Sequence, residues 1–500
     1  MTAEEVEDAG ASTRDRKATE SSTALSSDPQ PGRGLRWYHG VGAVGGVVAA
    51  PFAAGLYYPI LGTWGAVLVY GILALVAFMM NKLFAEMAGM FPTKHGGITI
   101  YASEAFTGKA RVASVVTTFS YWMGYSFSLS FMATSITYIV HAQWWIAGVP
   151  EWTIVGLTLT GDMAVSIGAV LLAAVLAYLG PQVFARIGLI STCALGIIII
   201  LACLSPLFAL GDLQFSTATL ATPGWTTFAV ILYVVATSVF GTELVATMAP
   251  TFRSIVHDTR QALRVAGVLV LLSVIIVPIA ATAVLGEDVV SQNPLNFPSL
   301  VVASIFGDSP TVAMIVNIVQ MTMVFNLMVI VISGVSQLLC AMAEEDLTIR
   351  PIGHRSKSGA PVVAIAIATV MNVVLLSVAS NPVAVLLASN FGYVLAIILV
   401  VVAYVVLKQR SAHEAPSGLR VRLGIPIAVV VLLIVGTSFV CAILFPSLAG
   451  GTFGELSLSF VILAVAVSAF FYRVQEARWS SSTSSQRKFR SISASREKTE

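Results

Sequence analysis

Long apolar runs separated by short polar breaks fill the chain from residue 36 to residue 475. The runs are roughly 18 to 25 residues long and show no strict alternation, so they predict helices that cross a bilayer rather than barrel strands. They fall near 40–60, 64–86, 114–140, 164–180, 187–210 and 226–249, then near 264–284, 310–340, 361–379, 383–407, 424–446 and 456–474. The expectation is an all-α integral membrane protein with twelve transmembrane helices.

Basic residues test that count. With the first residue inside, Lys82, Lys94, Lys109, Arg111, Arg186, Arg253, Arg260, Arg264, Arg350, Arg355, Lys357, Lys408, Arg410, Arg420 and Arg422 all fall in inner segments or tails. The outer connections hold Glu151, Asp212, Glu287, Asp288, Asp308 and Glu455 instead. This is the positive-inside pattern, and it predicts both termini in the cytoplasm and a chain in the cell (plasma or inner) membrane. Moving the count by one helix scatters basic residues to both sides. Trp64, Trp144, Trp145, Trp152 and Trp225 lie at predicted outer ends, Trp37 and Trp479 at inner ones, and Trp122 inside a span.

Composition agrees with that reading. Of the 500 residues, 57% are hydrophobic and 10% charged, against about a quarter charged in an ordinary soluble domain. The net charge of +2 reflects the inner-loop bias and the tails, not a nucleic-acid face. Cys193, Cys203, Cys340 and Cys441 all sit within spans and match no metal or disulfide spacing. No His-Glu-x-x-His, Gly-x-Ser-x-Gly or membrane aspartate pair occurs, so neither an enzyme nor a metal or cofactor site is expected.

Three regions follow. Residues 1–35 mix Ser, Thr, Pro, Gly and charges and read as a disordered cytoplasmic tail. Residues 36–475 form the helical domain. Residues 476–500 are Ser-rich and basic, with Arg487, Lys488 and Arg490 clustered, and read as a disordered tail against anionic lipid headgroups.

Two runs are interrupted. The first contains Gly42, Gly45, Gly46 and Pro51, and the sixth contains Gly241 with Glu243 close behind. Breaks at matching places in two five-helix halves point to an inverted-repeat transporter. They free backbone groups at mid-depth that lipid cannot satisfy and a substrate or ion can. Glu243 is the acidic side chain that falls deepest within a span, where a carboxylate is costly unless paired or protonated. It reads either as a gate or counter-charge, or as a structural cap on the broken helix's own N–H groups.

The stretch AEMAGMFPTKHGGITIYASEAFTG (85–108) resembles the segment after the second helix in the amino acid–polyamine–organocation (APC) superfamily. There Glu86, Pro92, Gly96, Gly97, Tyr101 and Phe106 match. SYWMGYS (120–126), FGTELVATMA (240–249) and SQLLCAMAEED (336–346) are similar to its third-, sixth- and eighth-helix segments. The resemblance implies a five-plus-five inverted-repeat core, two extra helices and alternating access around a mid-membrane site. It implies that N–H groups at Gly42, Gly45 and Gly46 take a substrate carboxylate. Carbonyls of 41–43 and of Thr237 to Phe240, beside Gly241, would take the ammonium. It puts Gly124, Tyr125 and Ser128 near the substrate side chain and Glu243 in coupling or gating.

Departures from the family pattern separate the substrate readings. The first break has Val44-Gly45-Gly46 where Gly-x-Gly is usual, Thr237 replaces an aromatic, and the fifth span has no lysine. Gln337 stands where many relatives carry Arg. The leading expectation is secondary active transport of amino acids, by proton symport or exchange. The alternative is an antiporter for basic amino acids or polyamines. Partners are a small amino acid or amine, protons and lipid.

Overall fold

The computed structural model describes residues 35–43, 52–92, 94, 97–144, 150–154, 157–179, 182–209, 213–356, 359–378, 382–410, 415–449 and 452–496. Among them, eight helical stretches are long and apolar enough to cross a membrane: Phe52–Met90, Gly161–Leu179, Trp225–Thr251, Ile255–Leu285, Pro310–Glu344, Val383–Arg410, Gly424–Leu444 and Leu456–Glu476. Helices at Trp37–Ala43, Arg111–Trp144, Gln182–Leu204 and Val362–Val378 stand where the other expected spans fall.

In chain order the helices used below are α1 (Trp37–Ala43), α2 (Tyr58–Met90), α3 (Ile98–Ala105) and α4 (Arg111–Trp144). Next come α5 (Gly161–Leu179), α6 (Gln182–Leu204), α7 (Trp225–Val239), α8 (Leu244–Thr247), α9 (Ile255–Leu285), α10 (Glu287–Gln292) and α11 (Phe297–Ile305). The last are α12 (Pro310–Glu344), α13 (Val362–Val378), α14 (Pro382–Arg410), α15 (Gly424–Leu444) and α16 (Phe453–Arg496).

The stretch from Phe52 to Met90 is two helices. Gly62 has φ 68° and ψ 176°, outside helical values, and the rings of Tyr57 and Tyr70 lie 6.3 Å apart. An unbroken helix would set those α-carbons about 20 Å apart, so the chain folds back at Gly62. A side chain there would meet Thr219. Glu287 closes this corner: its carboxylate accepts from Thr63 N (2.9 Å) and Oγ1 (2.7 Å) and from Thr219 N (2.7 Å) and Oγ1 (2.6 Å). Burial raises its pKa, but the donated bonds from Thr219 and Thr63 outweigh that and hold it below the usual glutamate range.

α4 carries a row of hydroxyl residues that face the inside of the bundle. Ser114, Thr117, Thr118, Ser120, Ser126, Ser128, Ser130 and Thr137 are all buried on it. Several hydroxyls return to the preceding turn, as Thr117 to Ala113 O (2.7 Å) and Ser128 to Tyr125 O (2.7 Å), the bond that lets a hydroxyl sit in an apolar place. α4 packs along α14, and small residues set that crossing. A Cβ on Gly124 would lie 2.5 Å from Tyr393 N, and one on Gly392 would lie 2.5 Å from Ser120 O. Asn372 of α13 holds the other side, accepting from Ser130 Oγ (2.7 Å) and N (3.1 Å).

Contacts between helix ends sort into two sets. One end joins Glu86 to Lys408 (2.5 Å) and to Tyr404 (2.6 Å), Glu344 to Arg355 (2.9 Å), Asp346 to Arg473, and Leu35 N to Thr251 O (2.9 Å). The other joins the Glu287 corner, His141 to Asp162 (3.4 Å), and Asn317 to Gln143 (3.0 Å). The described Lys and Arg side chains in these contacts all belong to the first set.

The fold is helical as expected, with two local features outside the expected runs. A two-stranded antiparallel hairpin, β1 (Glu151–Ile154) with β2 (Leu157–Thr160), connects α4 to α5. Its Thr, Ile and Leu residues suit a pleated ribbon, but a ten-residue loop is too short to show that against twelve apolar runs. α16 also continues to Arg496, past the expected boundary at 475.

Candidate functional site

The sixth run breaks where glycine allows it. α7 ends at Val239, Phe240 is extended (φ −76°, ψ 171°), and Gly241 has φ 121°, a conformation that side-chain-bearing residues rarely adopt. The turn restarts as Leu244 N bonds Gly241 O (3.2 Å) and continues into α8. Among the described residues, the carbonyls of Thr237, Ser238, Val239 and Phe240 receive no backbone hydrogen bond. A helix C-terminus carries partial negative charge, so such carbonyls suit a cation or ammonium.

Glu243 fastens the break to two other helices. It is 2% exposed. Oε2 accepts from Gly241 N (2.7 Å), and Oε1 accepts from Tyr125 Oη (3.1 Å) of α4 and Tyr393 Oη (2.5 Å) of α14. No Lys, Arg or His among the described residues forms an ion pair with it. One oxygen caps the break's own N–H, and the other ties the break to α4 and α14.

The tyrosines sit in a ring cluster. Tyr121 lies 4.9 Å from Tyr125 and 6.2 Å from Tyr393, Tyr125 lies 5.4 Å from Tyr393 edge-to-face, and Phe240 lies 6.4 Å from Tyr393. Such offset and edge contacts are the favourable geometries for aromatic rings. α7 is stapled to α14 just above: Tyr233 Oη donates to Leu387 O (2.8 Å) and Asn390 Nδ2 to Val234 O (2.7 Å). Beside Glu243, Thr242 Oγ1 donates to Asn81 Oδ1 of α2 (2.9 Å).

A cavity of about 260 Å³ opens above this knot. Tyr125, Phe240 and Gly241 form one end, and Ile139, Leu295 and Gln320 the other. Between them lie Ser128, Thr237 and Ser238 among apolar side chains such as Phe52, Phe131, Met323 and Val331. Among the described residues, no charged side chain lines it.

Of the residues singled out from sequence, Tyr125, Thr237, Phe240 and Gly241 stand on the cavity wall, and Glu243 lies directly behind Tyr125. Gly124 is one residue away but faces α14 at the helix crossing, where its carbonyl accepts from Ser389 Oγ (2.9 Å). Gly42 is on α1, with no described atom within 4 Å of where a side chain would begin. Gly45 and Gly46 lie outside the described residues. Gln337 accepts from Arg355 Nη1 (2.9 Å) at the basic end and is not on the cavity wall. Sequence reasoning missed Tyr393 and Gln320. A tyrosine after Gly392 in a buried span was the one available signal for the first.

Two solved structures share the architecture. One is the Eremococcus coleocola manganese transporter in complex with an aromatic bis-isothiourea substituted compound: TM-score 0.55, 12% identity, covering 91% of this chain and 99% of that one. The other is a histidine-to-alanine variant of that transporter, with TM-score 0.52, 12% identity, and 88% and 94% coverage. At that identity the likeness speaks for the fold. No curated protein matches the chain. The family described as amino acid permease matches residues 40–479. A helical bundle of apolar spans, a broken helix at an uncharged cavity and this match have one meaning: the chain is a multi-pass membrane transporter that belongs to the amino acid permease family.

Proposed function

We propose that the protein carries net-neutral amino acids by alternating access, and that the Glu243–Tyr125–Tyr393 knot is the inner floor that must open. The observation that carries this reading is the cavity: open carbonyls from Thr237 to Phe240 at its floor, largely apolar walls and, among the described residues, no charged side chain in the lining. A zwitterion brings its own pair of charges to broken-helix ends. A diamine or dibasic amino acid leaves a second cation facing apolar walls, at a desolvation cost of several kcal/mol. The same lining offers no carboxylate, imidazole or thiol to a divalent metal, and among the described residues no group of three such side chains is close enough to hold one.

The remaining elements follow from the sequence and the resemblance. Gly42, Gly45 and Gly46 supply N–H groups to the substrate carboxylate. The twelve helical segments cross the membrane twelve times. The set of end contacts rich in Arg and Lys faces the cytoplasm together with both termini, in keeping with the positive-inside rule. Glu243 exchanges a proton when the tyrosines release it, coupling transport to a proton gradient.

Purified protein in liposomes tests the substrate class. Saturable uptake of labelled L-leucine, L-methionine or L-phenylalanine is expected, above that of L-arginine or putrescine. Uptake of arginine or putrescine alone, and only with internal substrate, would select the antiporter. No flux of any of these compounds would sink amino acid transport.

A further inference from the structure

The outer part of the cavity holds a polar group that the knot at its floor does not use. Gln320 lines the wall on α12, is 5% exposed, and has its side-chain oxygen buried without a hydrogen-bond partner among the described residues. Native interiors seldom leave such an acceptor unmatched, because its hydration is lost and nothing replaces it. The other α12 residues on the wall, Met323, Val324, Leu327 and Val331, cannot serve it.

Position separates Gln320 from the floor. From Gln320 to Val331 the helix advances about 16 Å, and on α4 the wall from Tyr125 to Ile139 covers about 21 Å. Both lengths are several times the roughly 3.5 Å of chain that one extended residue covers, so Gln320 and the floor residues stand at different levels of the wall. The wall therefore carries polar groups at two successive levels, Gln320 at one and the helix break at the other.

We propose that Gln320 forms an outer binding subsite, where the ammonium and carboxylate of a neutral amino acid are held before the substrate descends to the helix breaks. A carboxamide carries an acceptor oxygen and a donor NH2 group side by side, and a zwitterion offers the complementary pair. With no charged side chain on the wall among the described residues, the subsite matches a ligand of zero net charge. A single neutral amide also binds weakly enough to release its ligand inward. The subsite rests on the transport reading above.

The test is L-leucine uptake by the full chain in liposomes, comparing wild type with Gln320→Met, Gln320→Leu and Gln320→Asn. Met and Leu keep bulk but remove both hydrogen-bonding groups. They are expected to raise KM about ten-fold with Vmax within about two-fold, while Asn stays within about three-fold of wild-type KM. An unchanged KM in Met and Leu, or a lower Vmax at constant KM, overturns the subsite, since a packing role alters turnover rather than capture. Two apolar variants guard against one that misfolds. Absence of leucine uptake by the wild type overturns the transport reading itself, an outcome no Gln320 variant can mimic.

Discussion

Tyr393 Oη donates to Glu243 Oε1 at 2.5 Å across 150 residues of chain, joining α14 to the break between α7 and α8. Tyr125 shares the same oxygen at 3.1 Å, so one carboxylate holds three helices at the cavity floor. In the proposed cycle, opening of the floor toward the inner end breaks these bonds. Hydrogen bonds to a charged group are worth about 1.5–3 kcal/mol each. Tyr393→Phe is therefore expected to loosen the closed floor, reading out as substrate efflux from loaded liposomes at least several-fold faster than wild type. Efflux at the wild-type rate would place the floor elsewhere.

Gly241 carries the backbone side of the same device. Its φ of 121° costs about 1–3 kcal/mol for a residue with a side chain. Gly241→Ala is expected to lower the melting temperature in detergent and to abolish uptake. Gly124→Ala separates packing from binding. Its methyl would meet Tyr393 at 2.5 Å, and overpacking of that kind costs about 1–3 kcal/mol. Lower thermal stability is expected, with the KM of the surviving protein within about two-fold. A large KM change without destabilisation would return Gly124 to the substrate.

Glu86 and Lys408 form a second buried knot at the basic end. Glu86 is 2% exposed, and its two oxygens take Lys408 Nζ (2.5 Å) and Tyr404 Oη (2.6 Å), while Lys408 also donates to Val421 O (2.9 Å). Removing one partner of a buried ion pair strands the other, at about 3–5 kcal/mol. Lys408→Met is expected to destabilise by that order. The double variant Glu86→Gln with Lys408→Met should recover much of the loss in melting temperature. Additive losses would mean that the two groups act independently.

Glu287 gives a pH dependence at the opposite end. Its folded pKa lies below the ordinary glutamate value because the bonds from Thr219 and Thr63 outweigh burial. Its contribution to stability is therefore fully present above the ordinary glutamate pKa of about 4.3. That contribution is lost as pH falls through the lower folded value. Melting temperature followed downward from pH 5 should fall less steeply in Glu287→Gln than in wild type, and parallel slopes would remove Glu287 from the clasp.

Much of this fold was legible because lipid imposes simple rules. Among the described residues, eight helical stretches long and apolar enough to cross a membrane overlap the expected runs, and the corner at Gly62 falls in the short gap between runs ending near 60 and starting near 64. Gly241 and Glu243 stood out because glycine and an acid are both costly in the middle of an apolar helix. Tyr393 did not stand out. Tyrosines occur throughout the chain, and the bond that gives this one meaning joins residues 150 positions apart. Gln320 was hidden for a related reason: a polar residue in an apolar run is equally compatible with a satisfied helix contact, and only the lining of the cavity shows that its oxygen is unmatched. The β-hairpin and the extension of α16 depend on local preferences weaker than the signal of the spans.

The most direct measurement of the central claim is uptake of labelled L-leucine into liposomes with and without an inward proton gradient, for wild type and Glu243→Gln side by side. Wild-type uptake is expected to accelerate with the gradient, while Glu243→Gln, which keeps the shape of the knot but not its titratable group, takes up leucine at a rate indifferent to it. Equal acceleration in both proteins, at equal expression, would contradict a gate worked by Glu243.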